Sequence, residues 1–147
     1  MTDWAHFARV LADELGAVPD TAVLVIGEAA PSGSRRFAQF RKTGEAVLAE
    51  LTGNEWLDST SRPDDAGWQA ITRAGWRRPD QDHCGNWWAE FASPVGSDHY
   101  RRIAAITVTG LRDGFGITAP AALSYQGWVE KSGDNLHLPG LGIPDAR

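Results

Sequence analysis

The chain has a single cysteine, Cys84, so it cannot form an internal disulfide or a multi-cysteine metal site. No apolar run approaches the ~18 residues of a membrane-spanning helix, which argues against the membrane as a partner. Basic residues are few: 14 Lys and Arg stand against 19 Asp and Glu, and the formal net charge is −5. Nucleic-acid binders present clustered Lys and Arg to phosphates, so this balance argues against nucleic acid as well. The first residues lack the basic and apolar pattern of a signal peptide, and we expect a cytoplasmic protein.

The chain contains an unusually large number of tryptophans. Seven Trp occur among 147 residues, beside two Tyr and one Met. Such large rings dominate protein cores and interfaces alike, so they predict large buried contacts without locating them. The length fits one domain, and the hydrophobic content of 42% is enough to form its core. Composition alone therefore predicts a folded domain and names no function.

The spacing of apolar residues predicts helices that alternate with short strands. The first helix has Thr2 as its N-cap and Gly16 as its stop. In chain order, the predicted elements are a helix at 2–15, strands at 21–27, 35–42 and 45–51, a helix that starts within 61–65 and stops at Gly75, a strand at 86–91, a helix at 98–113 and a helical turn within 119–125. They describe one α+β domain, a small antiparallel β-meander flanked by helices in the order α-β-β-β-α-β-α. We expect this domain to span residues 1–129, with an extended tail over residues 130–147.

The central strands of the meander have apolar residues on both faces. One face should be covered by helices, while the other needs the tail, a partner or a client. The adjacent pair Trp87 and Trp88 must point to opposite sides of its strand, so one of the two rings points away from the main core. The candidate client-binding surface consists of these residues: Phe37, Gln39, Arg41, Leu48, Trp56 and Trp88.

No group of residues in the sequence indicates catalysis or the binding of a cofactor or metal. Cys84 is adjacent to His83 in a loop, where neighbouring side chains rarely take the geometry of a nucleophile and its base. Asp80, Asp82 and His83 have no second cluster at metal-ligand spacing. We therefore expect a protein that is not an enzyme, and we expect neither a cofactor nor a metal site.

Several local motifs occur in a fixed order along the chain. They are Arg36-Phe37-Ala38-Gln39-Phe40, Ala49-Glu50-Leu51-Thr52-Gly53-Asn54-Glu55-Trp56-Leu57, Gly75-Trp76-x-x-Pro79 with Asn86-Trp87 behind it, and Leu111-Arg112-Asp113-x-Phe115-Gly116 with Pro120 and Leu123. Together they resemble the TY-Chap domain of actinobacterial proteins, which is similar to type III secretion chaperones of the CesT type and to the YbjN family. The resemblance covers about residues 4–125. It implies a chaperone-like domain that binds a peptide or protein, is often dimeric and has no catalytic residues.

Three functions stay open at this point. The first is a non-enzymatic, secretion-chaperone-like homodimer that holds a client segment, in particular one of a secreted protein. The second is a small immunity or inhibitor protein that binds one folded toxin, and the third is an enzyme on an unrecognised scaffold. A chaperone should bind short unfolded peptides and tolerate variation in their sequence, whereas an immunity protein should ignore them. An enzyme should show a deep pocket with converging titratable groups. A sheet buried on both faces within the monomer would contradict the binding surface.

Overall fold

The computed structural model describes residues 3–147 and contains, within that range, three α-helices and five β-strands. In chain order they are α1 (Trp4–Ala17), β1 (Ala22–Glu28), β2 (Phe37–Lys42), β3 (Ala46–Leu51), α2 (Asp65–Ala74), β4 (Trp87–Ala92), α3 (Ser97–Val108) and β5 (Leu123–Val129). The strands form one antiparallel sheet in the spatial order β4-β3-β2-β1-β5. The α+β class, the antiparallel meander and its flanking helices are confirmed.

The strand β5 was not anticipated by the sequence pattern. A helical turn is predicted within residues 119–125, but a short 3-10 turn at Pro120–Ala122 leads directly into β5. β5 pairs with β1 along the full length of both strands. Its own strand signal is weak because Gly127 interrupts it, and its partner lies far earlier in the chain.

The first helix has different ends from those predicted. The predicted N-cap, Thr2, lies outside the described residues. Asp3 is the N-cap in the structure, and its carboxylate accepts a hydrogen bond of 2.7 Å from a backbone N–H of the first turn. The prediction that Gly16 stops the helix is wrong. The helix passes through Gly16 to Ala17. It ends there because Val18 takes the extended conformation that is favoured before Pro19.

All three helices contribute to a core on one side of the sheet. Trp76, which follows α2, is 3% exposed, and its Nε1 donates to the carbonyl oxygen of Ile106 at 2.9 Å. Trp87 is fully buried against Trp68, with ring centroids 4.4 Å apart. The largest other side chains that are fully buried in this core are Phe7, Phe40, Leu11, Leu24, Ile26, Leu51, Ile71, Ile103, Leu111, Leu123 and Leu141.

The tail, residues 130–147, folds back onto the domain. The backbone N–H of Leu136 donates to the carbonyl oxygen of Gly127 at 2.9 Å, so this part of the tail lies along the outer edge of β5. The hydroxyl of Tyr125 accepts a hydrogen bond of 2.8 Å from a backbone N–H of the tail. Three apolar tail residues are buried in the same core as the helices: Leu138, Leu141 and Ile143. The tail therefore covers the β5 edge and part of the helix side.

Candidate functional site

The side of the sheet opposite the helices carries most of the predicted binding residues. On each strand every second residue points to this side, and the strand register aligns these residues in two rows. From β4 to β5, the first row is Trp88, Glu50, Gln39, Val25 and Gln126, and the second row is Glu90, Leu48, Arg41, Val23 and Trp128. We call these ten residues, together with Phe37, the open face.

The sequence identified five residues of the open face: Phe37, Gln39, Arg41, Leu48 and Trp88. Each is partly exposed, and none belongs to the main core or to the hydrophobic side chains packed against that core. The helices and the tail bury their apolar side chains in the core on the other side. Within residues 3–147, no helix packs on the open face; besides its own side chains, those of Arg35, over Gly27, and of Glu130 lie across it.

An ion pair crosses the second row of the open face. Nη1 of Arg41 lies 2.5 Å from Oε1 of Glu130, the residue that follows β5. The pair spans β1, where Val23 is fully buried although it lies outside the main core. Both charged side chains are more than 40% exposed, at 42% and 45%. An exposed pair of this kind contributes only about 0.2–1 kcal/mol, so a ligand can displace it at small cost.

Two glutamine amides flank an apolar residue in the first row. Gln39 and Gln126 lie on either side of Val25 in the register. Among residues 3–147 neither side-chain amide has a hydrogen-bond partner. Each amide offers two donors and an acceptor. The first row can therefore form hydrogen bonds to the main chain of an extended segment while Val25 contacts its side chains.

Trp88 is held at the β4 end of the first row by the loop before the strand. Its Nε1 donates to Oδ2 of Asp80 at 3.0 Å, and its ring stacks on His83 with centroids 3.9 Å apart. The Arg77 guanidinium lies 5.1 Å from the centre of the Trp88 ring. Asp80 also bonds to Nδ1 of His83 at 2.7 Å, and this hydrogen bond lowers the pKa of the Asp80 carboxyl. The indole is thus fixed in place before any ligand arrives.

Trp56, the sixth predicted residue, lies apart from the open face. It is in a 3-10 turn, Asn54–Trp56, that follows β3, and it is 58% exposed. Its Nε1 donates to the carbonyl oxygen of Cys84 at 2.6 Å, which ties this turn to the loop before β4. The structure therefore does not bring Trp56 together with the other five.

The sequence prediction left out six of the eleven open-face residues, and three of these are Val25, Gln126 and Trp128. Val25 lies in a continuous apolar run that predicts a strand covered on both faces, whereas only one face of β1 is covered by helices. The other two belong to the unrecognised strand β5. The signal that could have found them is the alternation of apolar and polar residues along residues 123–129.

Other parts of the described chain offer less specific features. Within residues 3–147, no group of three or more His, Cys, Asp or Glu side chains is arranged to hold a metal ion. None of the described helices is both long and apolar enough to span a membrane. A cavity of about 510 Å³ lies between α1 and the start of α3, lined in part by Arg9, Asp13 and Tyr100. It is on the helix side, away from the open face.

Comparison with known proteins agrees with the sequence resemblance. The family TY-Chap3, described as T3SS (YopN, CesT) and YbjN peptide-binding chaperone 3, matches residues 1–129. The match includes all the helices and strands given above and stops at the tail. No curated protein and no solved structure matches the chain. Because the match covers most of the 147 residues, the chain belongs to the TY-Chap3 family of peptide-binding chaperones.

Proposed function

We propose that the protein is a non-enzymatic chaperone that holds an extended segment of a client protein on the open face. The observation that carries the proposal is a sheet surface that no described helix covers, on which apolar side chains alternate with amides that have no hydrogen-bond partner among residues 3–147. Membership in a peptide-binding chaperone family supports a peptide as the ligand, in preference to a folded toxin or a small substrate.

Binding in this proposal is an equilibrium without a chemical step. Phe37, Leu48 and Trp88 provide apolar area, which stabilises a complex by roughly 25 cal/mol per Å² removed from water. Gln39 and Gln126 bond to the client main chain, which is the same for every client sequence. Because the amides contact the main chain and the apolar groups accept varied side chains, the surface tolerates sequence variation. This tolerance is what a holding chaperone needs.

Two copies pair through the free edge of β4 in the same proposal. Arg77 forms two backbone hydrogen bonds with Trp88 and thereby covers the start of this edge. Beyond that point Glu90 and Ala92 are exposed, and their backbone groups, directed away from β3, have no backbone partner among residues 3–147. Exposed strand edges pair readily with another strand. An antiparallel pairing of β4 with its copy would join the two sheets and leave both open faces free on one side.

The client, in this proposal, is a segment of a protein destined for secretion, held in the cytoplasm before export. The description of the family by type III secretion proteins supports this context. A segment awaiting export must stay extended, and a sheet face with free amides favours an extended main chain.

The test measures binding of labelled, unstructured peptides to the purified chain by fluorescence polarisation. We expect micromolar dissociation constants for several unrelated peptides and at least about a tenfold loss in Leu48→Gln. The matched control is Val10→Gln, since Val10 is also partly buried but lies on α1. This control should bind like the unmodified protein. Failure to bind any peptide, or equal losses in the two variants, would contradict the proposal.

A further inference from the structure

A second, smaller cavity lies beyond the β4 edge, between α2 and the loops that follow α2 and β3. Its volume is about 250 Å³, below the roughly 300–1,000 Å³ of pockets that take drug-sized ligands. A cavity of this size suits one amino-acid side chain. The residues that matter for its chemistry are Asn54, Glu55, Trp68, Arg78 and Asp80.

The motifs that carry the family resemblance meet at this cavity. Asn54 and Pro79, from two of the motifs, line it directly. A third motif begins with Asn86, whose Oδ1 accepts from the backbone N–H of Gly53 at 3.0 Å. The Nδ2 of Asn86 donates to Oε2 of Glu50 at 3.2 Å, and Glu50 belongs to the first row of the open face. A hydrogen-bonded network thus connects the cavity wall to the proposed client surface.

Two buried polar atoms near the cavity have no hydrogen-bond partner. Oδ1 of Asn54 and Nε1 of Trp87 are buried and make no hydrogen bond, and Trp87 packs against Trp68 of the cavity wall. Most buried polar atoms in proteins are hydrogen-bonded, so a buried acceptor without a donor needs an explanation. The Glu55 carboxylate lies over Gly85, in the space that a Cβ there would fill, and it has no ion-pair partner among residues 3–147. The Glu55 carboxylate is therefore free for a ligand, and Oδ1 of Asn54, which solvent does not reach, is free once the side chain turns toward the cavity.

The charge and shape of the lining favour a cation with several N–H donors. Glu55 and Asp80 place two carboxylates in the lining, against the single guanidinium of Arg78. Trp68 adds an indole to the lining, and the face of such a ring attracts cations. A guanidinium can stack on such a face and donate to Asn54 and Glu55 at the same time. An ammonium is a compact point charge without a planar surface, so it would use fewer of these contacts.

We propose that this cavity receives an arginine side chain of the bound client. The inference rests on the proposed function, because it assumes a client on the open face. Trp88 ends the first row of that face, and its Nε1 bonds to Asp80 of the cavity lining at 3.0 Å. Asp80 thus joins the end of the first row to the cavity lining, and the proposed client continues past Trp88 and around the β4 edge to reach the cavity.

The probes are two capped amino acids and two peptides. N-acetyl-arginine amide is compared with N-acetyl-citrulline amide, which has nearly the same shape without the charge. The peptides are otherwise identical and carry either arginine or citrulline at one position. Indole N–H signals of the full chain report the site in NMR spectra. We expect capped arginine to shift the signals of Trp68 and Trp87, and capped citrulline to leave them unchanged. The arginine peptide should bind at least about tenfold more tightly than the citrulline peptide.

Two substitutions locate the effect in the cavity. Glu55→Gln and Asn54→Ala should each reduce the preference for arginine over citrulline by about tenfold. The matched control is Glu45→Gln, because Glu45 is an exposed acid in the turn between β2 and β3. It should keep the preference. Since the Asn54 side chain makes no hydrogen bond, Asn54→Ala should leave the melting temperature of the free protein unchanged. If Asn54 had only a structural role, the substitution would change the melting temperature.

Each contrary outcome has a separate meaning. Equal binding of the arginine and citrulline peptides would overturn the arginine pocket. If Leu48→Gln still weakens both peptides, the proposed function stands without the pocket. Capped arginine that binds as tightly as the arginine peptide would overturn the assignment to a client and indicate a site for a free guanidinium compound. Absence of all peptide binding would overturn the proposed function itself.

Discussion

At the scale of single residues, Trp76 shows how one side chain joins two parts of the core. The ring is 3% exposed, and its Nε1 donates to the carbonyl oxygen of Ile106 in α3. Trp76→Ala should lower the free energy of unfolding by about 3–5 kcal/mol, because it leaves a cavity and an unpaired carbonyl. Urea denaturation measures this difference. Trp56→Ala, at a ring 58% exposed, is the comparison and should cost only the hydrogen bond to Cys84, about 0.5–1.5 kcal/mol. A Trp76→Ala variant with the same free energy of unfolding as the unmodified protein would contradict this placement.

Phe37 is expected to act in binding more than in folding. It is partly exposed on the open face and does not belong to the main core. Phe37→Ala should therefore weaken peptide binding several-fold while the melting temperature changes little. The two effects are measured by fluorescence polarisation and by thermal unfolding of the same preparation. Comparable losses in affinity and in stability would show that Phe37 is a core residue.

Alternation along a strand was enough to place single residues on the correct side of the sheet. Phe37, Gln39 and Arg41 share a face because successive strand residues point in opposite directions. The same rule separated Trp87, in the core, from Trp88, on the open face. It could not place residues in turns. Trp56 lies in a turn, and its position depends on a hydrogen bond to Cys84, in a loop that is distant in sequence.

At the scale of elements, Arg36 forms an ion pair with Glu28 inside the β1–β2 hairpin and also bonds to the segment after α3. Nε of Arg36 lies 2.7 Å from Oε1 of Glu28, and Nη1 donates to the carbonyl oxygen of Phe115 at 2.6 Å. The hydrogen bond from Arg36 lowers the pKa of Glu28 below its ordinary value of 4.5. A carboxyl group whose pKa is lowered in the folded state stabilises the fold when the pH is above that ordinary pKa. The contribution is lost as the pH falls through the folded-state pKa.

Glu28→Gln should therefore be less stable than the unmodified protein at neutral pH. The difference should shrink as the pH falls below about 4.5, where Glu28 begins to take up protons in the unfolded chain. Urea denaturation at a series of pH values measures it. Comparison of the two proteins at each pH cancels the contributions of the other carboxylates. A stability difference that is constant with pH would show that the ion pair does not carry the effect.

The tail is an element of the core even though it lies outside the family match. Leu141 is fully buried, and the tail residues around it pack against α1 and β5. Leu141→Ala should lower the free energy of unfolding by about 2–5 kcal/mol. Lys131→Ala, at an exposed position of the same tail, should have little effect. Equal stability of the two variants would mean that the tail does not pack as described.

Elements with strong local signals were predictable, and those that depend on distant partners were not. The helix α2 ends at Gly75 as expected, because that residue takes a left-handed conformation with φ of 111°. β5 was missed since its strand character comes from pairing with β1. The helix α3 was expected to continue to Asp113, but its final part, Thr109–Gly114, is a π-helical turn. Sequence periodicity does not distinguish such a turn from an α-helix.

At the scale of the whole molecule, the proposed pairing of two copies is open to a direct test. Ala92 is exposed, and its backbone N–H points away from β3. Ala92→Pro would remove this donor without removing a hydrogen bond to β3. We expect light scattering to give the mass of a dimer for the unmodified protein and of a monomer for Ala92→Pro. A folded variant with the mass of a dimer would place the interface elsewhere.

The central claim is that the open face, and not the helix side, holds an extended client. Backbone NMR signals of the full chain, followed during titration with a binding peptide, test it most directly. We expect the largest shifts at open-face residues such as Gln39, Leu48 and Gln126, with the surface between α1 and α3 unaffected. Shifts confined to that helix surface, around Arg9 and Tyr100, would contradict it.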